Sequence, residues 1–375
     1  MKVPFKAGNI LIPKNVDMHK WSVVACDQYT SEPKYWEEVE NIVKDAPSTL
    51  RITLPEIYLN DENVSERIKK INLTMEDYLK EDIFTELNDS MIYLERTQND
   101  GKVREGLMGI VDLEDYSYEK GSQTLIRATE KTVIERIPPR LKVRENAPLE
   151  LPHIMILIDD EKKNIIESLK NKVTAKDIVY DFDLMENGGH IKGYNLSDEV
   201  IKDIEKGLEG LMDKDYFEKK YNVKDKGILL FAMGDGNHSL ATAKANYENL
   251  KKTMSKEEYL NNPARYALVE IVNLHSEALE FEPIHRVIFD TDVHKLIEEL
   301  YKYYDIKRKV LEVDELHLYD VYVSMTKEYN KKYNFDEAVD IVRKALSVLG
   351  EEYINIYNNE LCALFVLKYF WLLPA

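Results

Sequence analysis

Hydrophobic and polar positions follow two different periods along the first three quarters of the chain. Short runs that alternate between apolar and polar residues, or that are continuously apolar as in a buried strand, predict strands. These runs lie at 91–97, 106–112, 153–158, 178–184, 227–232 and 267–273. Segments whose apolar positions return every three or four residues predict helices at 33–44, 63–72, 74–85, 159–172, 196–221 and 238–252. Asn99, Asp100 and Gly101 lie between the first two strands and predict a hairpin turn.

This order of elements predicts the fold class. Strands that alternate with helices favour an α/β protein, with α+β as the alternative. From residue 292 onward the period is mostly helical. We therefore predict an α/β core over residues 1–290 and a mostly helical C-terminal region over residues 291–375.

Composition then excludes several classes of protein. The 69 acidic and 51 basic residues give a net charge of −18, so we expect neither a nucleic-acid partner nor binding to an anionic membrane surface. The two cysteines, Cys26 and Cys362, are too few for a disulfide framework. No signal-peptide pattern is expected from the first residues, and the longest apolar run, 363–375, is too short to span a bilayer. We therefore predict a cytoplasmic protein.

The strongest candidate site is a glycine turn between a strand and a helix. Gly234, Asp235 and Gly236 follow the apolar run, and the two glycines permit positive φ and close approach of a ligand. The helix then begins with three residues suited to capping: Asn237, His238 and Ser239. Its first amides carry partial positive charge, so they suit an anion such as phosphate. A tight structural turn is the alternative, because neither known glycine-rich phosphate motif is matched.

Two further groups combine a cation with a titratable side chain. His285 and Arg286 follow Pro283, and they could bind an anion or form a structural ion pair. Arg127 and Glu130 lie three residues apart and could simply pair with each other. The histidines show no HxxxH or HExxH spacing, so the sequence identifies no pair of metal ligands.

Three segments of the chain together resemble a known family. They are RATEKT at 127–132, GDGNHSLATA at 234–243 and EPIHRVI at 282–288, with ACDQYTSEPKYW at 25–36 and RITLPE at 51–56 before them. In this order they resemble the family catalogued as domain of unknown function 1015 (DUF1015), over roughly residues 1–290. That family is related to the ParB/sulfiredoxin-like superfamily. The resemblance therefore implies a mixed sheet core of ParB/sulfiredoxin-like type, with extra helices.

The resemblance also implies a site for nucleotide phosphates. Asp235, Gly236 and His238 match the glycine turn of the family, and His285 and Arg286 match its third motif. The first motif is matched by Arg127, Glu130 and Thr132. The chain departs from the family at Ser239, where an arginine is usual, so Lys244, Arg286 or Arg127 is expected to take its place.

These observations lead to one main functional hypothesis, a kinase-like, nucleotide-dependent phosphotransferase acting on a small hydroxylated metabolite. The expected catalytic residues are Asp235, His238, His285 and Glu130. The expected ligands of ATP, ADP or CTP are Gly234, Gly236, Asn237, Ser239, Arg127 and Arg286, with Mg²⁺ on Asp235 or Glu130. The alternatives are a non-catalytic nucleotide-binding regulatory or partner-binding protein and, less favoured by the charge, a ParB-like DNA-associated protein. A small-molecule ligand and a homo-oligomer are further expectations.

Overall fold

The structure is a computed structural model that describes residues 2–129, 132, 134, 137–151 and 154–279, together with three strands at 286–288, 321–325 and 361–365. The chain divides into two compact units, Met1–Leu279 and Glu280–Ala375. The division thus falls after residue 279, whereas the sequence pattern places it near residue 290.

The first unit is built on a large mixed sheet. Its strands, in chain order, are β1 (Phe5–Lys6), β2 (Gly8–Pro13), β3 (Phe84–Ser90), β4 (Ile92–Thr97), β5 (Val103–Asp112), β6 (Tyr116–Ser117), β7 (Ile126–Arg127), β8 (Met155–Ile158), β9 (Ile178–Asp183), β10 (His190–Asn195), β11 (Phe231–Asp235) and β12 (Tyr266–Asn273). Ten of them form one sheet in the order β6-β7-β11-β8-β12-β5-β4-β10-β9, with β1 paired to β5. Strands β2 and β3 form a separate antiparallel pair.

The centre of the sheet combines parallel and antiparallel pairs. Strand β12 runs parallel to β8 and antiparallel to β5, and β11 runs antiparallel to β8. Along β12 the side chains of Ala267, Val269 and Ile271 are fully buried, while those between them are mostly half-buried. The period of two thus directs one face of the sheet into the main hydrophobic core.

The described helices are α1 (Met18–Trp21), α2 (Pro33–Val43), α3 (Val64–Lys80), α4 (Ile137–Arg144), α5 (Asp198–Gly210), α6 (Lys214–Tyr221), α7 (Asn237–Lys251) and α8 (Lys256–Asn261). Helix α5 shows why such segments fold as helices. Ser197 caps its first turn, and Ile201, Ile204 and Leu208 recur at helical spacing and are buried in the main core. Burial of each of these side chains contributes roughly 2 kcal/mol before entropy is counted.

The fold class is confirmed as mixed α/β, but several predicted elements were wrong in extent. Residues 63–85, predicted as two helices, contain the single helix α3 followed by the start of β3. The helix predicted at 159–172 is reduced to a 3₁₀ segment, Glu167–Asn171, because Asp160 accepts hydrogen bonds from the amides of Asn164 and Ile165. The helix predicted at 196–221 divides into α5 and α6 at Asp213, whose side chain caps α6.

The described part of the second unit is a three-stranded antiparallel sheet. It contains β13 (Arg286–Ile288), β14 (Val321–Met325) and β15 (Leu361–Phe365), with β15 in the centre. Strands β14 and β15 lie within residues 291–375, where the sequence pattern predicts a mostly helical region, and the rest of that region lies outside the described residues. None of the described helices has the length and apolar character needed to cross a membrane.

Candidate functional site

The glycine turn has the local geometry that the sequence predicts. Strand β11 ends at Asp235, Gly236 follows with φ 78°, and α7 begins at Asn237. Asp235 accepts a 2.7 Å hydrogen bond from the amide of Gly236, which fixes the bend. Gly234 and Asp235 are exposed, whereas Asn237 is buried and His238 and Ser239 are half-buried. The turn therefore brings six predicted residues together at the start of a helix.

Helix α4 lies against α7, the helix that follows the turn, and it also contacts the early part of the chain through Arg140. Arg140 of α4 forms a short ion pair with Glu56, and the amide of Glu56 donates to the carbonyl of Cys26 at 2.8 Å. Burial, together with the nearby charges of Asp27 and Glu56, raises the pKa of the Cys26 thiol to about 12. Cys26 is therefore a protonated thiol at neutral pH, and it lacks the lowered pKa of a cysteine nucleophile.

Arg127 does not share the environment of the glycine turn. It pairs with Ala232 on β11, three residues and about 10 Å before Asp235. Its guanidinium donates to the carbonyls of Ser122 and Gly227, which precede the sheet strands at the opposite end of β11. Of the other predicted residues, Glu130 and His285 lie outside the described residues. Arg286 begins β13 in the second unit, and its side chain is also outside the described part.

Arg127 instead lines a cleft of about 360 Å³ beneath α6, which we call the α6 cleft. Its wall combines two aromatic side chains, two aliphatic side chains and two cations: Phe217, Tyr221, Val223, Leu229, Arg127 and Lys226. Phe217 packs against Tyr221 with ring centroids 4.9 Å apart. Tyr221 and Leu229 are 45% and 37% exposed, so both are accessible to a ligand. The cleft is thus an open apolar surface with cationic groups in its wall.

A polar cluster adjoins the α6 cleft through Tyr221. This Asp159 cluster consists of Asp159, Glu161, Lys220, Tyr221 and His275. Asp159 directly follows β8, and His275 lies two residues beyond β12. Because these two strands are parallel neighbours, their carboxyl ends meet at one edge of the sheet, and His275 Nε2 donates to Asp159 Oδ1 at 2.7 Å.

Helix α6 contributes two further members of the Asp159 cluster, Lys220 and Tyr221. Lys220 Nζ lies 2.7 Å from Asp159 Oδ2 and 2.7 Å from Glu161 Oε1, and the Tyr221 hydroxyl donates to Asp159. Burial opposes ionisation of Asp159, but hydrogen bonds from Lys220, Tyr221 and His275 outweigh it and lower the pKa of this carboxyl. Burial and the bond to Asp159 raise the pKa of Tyr221 to about 12. Asp159 is therefore an anion whose charge is balanced by the ammonium of Lys220.

The same cluster contains the one group of potential metal ligands within the described residues. Single ligand atoms of Asp159, Glu161 and His275 lie within 4.8 Å of one another. The ammonium of Lys220 contacts both carboxylates, so it already supplies the positive charge that a cation would bring. This arrangement suits a structural clamp that holds α6 over its cleft.

The sequence pattern missed both the α6 cleft and the Asp159 cluster. The sequence did contain a signal for the cluster, because Asp159 directly follows one predicted strand and His275 lies two residues beyond another. Binding groups often lie at such strand ends. Asp213 also marks a new helix start after Gly210, and that start would have separated α6 with its aromatic face.

Comparison with known proteins identifies a matching family and several relatives of low sequence identity. The family model described as protein of unknown function (DUF1015) matches residues 4–349. Oligopeptidase PepF of Bacillus subtilis (strain 168) is 30% identical over 112 residues, which cover 30% of this chain and 16% of that protein. An oligoendopeptidase F homolog of Borreliella burgdorferi is 29% identical over 123 residues, covering 31% of this chain and 20% of that protein. The chain thus matches about a fifth or less of the length of these relatives.

A third relative also has the name of a peptidase. The chromosomal oligoendopeptidase F of Lactococcus lactis subsp. cremoris is 28% identical over 72 residues, covering 19% of this chain and 12% of that protein. No solved structure matches the chain significantly. The relation to the ParB/sulfiredoxin-like superfamily therefore stays a prediction.

These relatives correct the functional hypothesis. Their names describe peptidases, so the expected nucleotide-dependent phosphotransferase was wrong, and these names give no support to its nucleotide-binding and ParB-like alternatives. The position of Arg127 is consistent with this correction, because this residue, one of the three cations expected to replace the missing arginine, donates to the carbonyls of Ser122 and Gly227. The other predicted site residues, the magnesium ion and self-association stay predictions.

Proposed function

This chain belongs to the DUF1015 family of proteins of unknown function, and we propose that it binds short peptides in the α6 cleft. The observation that carries the proposal is the open apolar and aromatic wall of that cleft, beside cations that a peptide backbone or carboxylate can contact. Ligand sites combine an apolar lining with a few polar groups in this way. The names of the relatives supply the class of ligand, which is a short peptide.

The size of the cleft limits what it can accept. About 360 Å³ is at the small end of the range of ligand clefts, which is roughly 300–1,000 Å³. It therefore suits one or two residues of a peptide rather than a long segment. Aromatic groups such as Phe217 and Tyr221 provide a large contact area at a low cost in side-chain entropy, which favours binding of an apolar side chain.

Contacts of α6 with the rest of the first unit hold its side of the cleft in position. The helix buries no residue completely, but Phe217 packs on the main core, and Lys220 and Tyr221 fasten the helix end to Asp159. The packing of Phe217 and the bonds to Asp159 thus hold the aromatic face of α6 in place before a ligand binds. Such preorganisation lowers the entropy that binding must overcome.

Titration of the full chain with a tetra-alanyl-leucine peptide, followed by calorimetry, tests this proposal. Leu229→Asn removes an aliphatic group from the cleft wall, and we expect it to weaken binding about fivefold or more. Leu73→Asn is the matched control, because Leu73 is 59% exposed on α3 and does not line the cleft. Absence of binding at millimolar peptide, or equal weakening by both substitutions, contradicts the proposal. Chromatography of the incubated peptide shows separately whether it is cleaved.

A further inference from the structure

The charges around the α6 cleft differ in sign from the chain as a whole. The chain carries a net charge of −18, yet the residues that line this cleft in the described part of the structure include Arg127 and Lys226 and no carboxylate. Asp159 accepts a hydrogen bond from the lining residue Tyr221, and its charge is paired with Lys220. The charged side chains that a ligand in the cleft contacts directly are therefore both cations.

The guanidinium of Arg127 is held in a fixed orientation within this surface. Its two terminal nitrogens donate to the carbonyls of Ser122, at 3.2 Å, and of Gly227, at 2.9 Å. Each terminal nitrogen carries a second hydrogen, and the buried Nε finds no acceptor among the described residues. An arginine fork in this state retains donors that suit a carboxylate.

The apolar part of the wall lies beside these cations. Phe217, Val223 and Leu229 line the same cleft, and the ring of Tyr221 joins them because its hydroxyl is directed to Asp159. A ligand that fits must therefore present an apolar group and an anionic group close together. At the end of a peptide these two features occur on one residue, namely the side chain and the free α-carboxylate.

We propose that the α6 cleft recognises the C-terminal residue of a peptide, with its α-carboxylate near Arg127 and Lys226 and an apolar side chain against Phe217, Val223 and Leu229. This inference rests on the proposed peptide binding and specifies which part of the peptide enters the cleft. An internal segment of a chain lacks the carboxylate, so the ligand class is peptides with a free C-terminal residue.

The test compares tetra-alanyl-leucine with a free carboxylate and the same peptide as its C-terminal amide, by calorimetry on the full chain. We expect the amide to bind about tenfold more weakly, because it loses charge-assisted hydrogen bonds. Lys226→Met should reduce this tenfold preference about threefold. Lys224→Met, an exposed neighbour that does not line the cleft, should leave the preference unchanged.

The outcomes separate this inference from the proposal on which it rests. If neither peptide binds, the proposed peptide binding itself fails. If both peptides bind equally, peptide binding stands and recognition of the carboxylate is overturned. If the wild-type preference persists in full in Lys226→Met, the carboxylate does not lie in the α6 cleft, and this inference is again overturned. A preference that is reduced about threefold in Lys226→Met and unchanged in Lys224→Met supports it.

Discussion

Replacement of Asp159 by asparagine should release α6 from the edge of the sheet. Asp159 accepts hydrogen bonds from Lys220, Tyr221 and His275, so one carboxylate holds the end of the helix to the loops after β8 and β12. Asparagine keeps the size of the side chain but removes its charge. The ammonium of Lys220 is then left with Glu161, which is 54% exposed and a weaker partner.

The exposure of Asp159 and Lys220 sets the expected loss of free energy. Hydrogen bonds to charged groups contribute about 1.5–3 kcal/mol each when they are buried. The side chains of Asp159 and Lys220 are 23% and 18% exposed, so solvent screens part of this energy. We therefore expect a net loss of about 2 kcal/mol, which corresponds to a roughly 30-fold fall in the hydrogen-exchange protection of the α6 amides. If the loss also reaches global unfolding, the Tm falls by about 4–8 °C.

Hydrogen exchange read by mass spectrometry over peptides of α6 measures this change directly. Glu161→Gln is the matched control, because it removes the other carboxylate from the same ammonium and should change protection less than about fivefold. The pKa of Asp159 is lowered in the folded state, so its contribution is present above the usual carboxyl pKa of about 3.9 and is lost as the pH falls below it. Wild type and variant should therefore converge in acid. Equal α6 protection in Asp159→Asn and wild type at neutral pH would refute this reasoning.

Two further predictions concern the backbone and the cysteine of the first unit. Gly236→Ala should destabilise the unit by about 1–2 kcal/mol, because Gly236 has φ 78° and alanine avoids this left-handed region. Gly210→Ala, at the end of α5 with open space around it, should be neutral or slightly stabilising, and equal urea midpoints for the two variants would contradict this. Cys26 should resist iodoacetamide at pH 8 in the native protein and react after unfolding, because its pKa is raised to about 12. Rapid native modification in peptide mass spectra would show that this thiol is accessible and ionised.

The sequence predicted the glycine turn well because its signals are local. Gly236 permits positive φ, and the helix α7 begins within one residue of the predicted start. The strand before it was less well placed. It was predicted at 227–232 but is paired at Phe231–Asp235, because a continuous apolar run has no alternation that would define its register. Leu229, counted as part of that strand, is instead part of the cleft wall.

The α6 cleft could not be predicted in the same way because it depends on distant contacts. Arg127 and Gly227 are a hundred positions apart, and they meet because β7 pairs with β11 in parallel. Asp159 and His275 meet because β8 and β12 are neighbours. Periodicity reports which face of an element is apolar, but it does not report which elements become neighbours. The order of strands in the sheet therefore determines which residues meet at the site, and this order is known only from the three-dimensional structure.

The central position of β12 also has a consequence for the order of folding during synthesis. This strand lies between β8 and β5, and Val272 pairs with Leu157, roughly 115 positions earlier in the chain. While the ribosome makes the intervening helices, the edges of β8 and β5 that β12 will cover are exposed and unpaired. The nascent first unit should therefore close its sheet only after residue 273 has left the exit tunnel. Until then its unpaired strand edges are prone to aggregation, so we expect chaperones to bind the nascent chain.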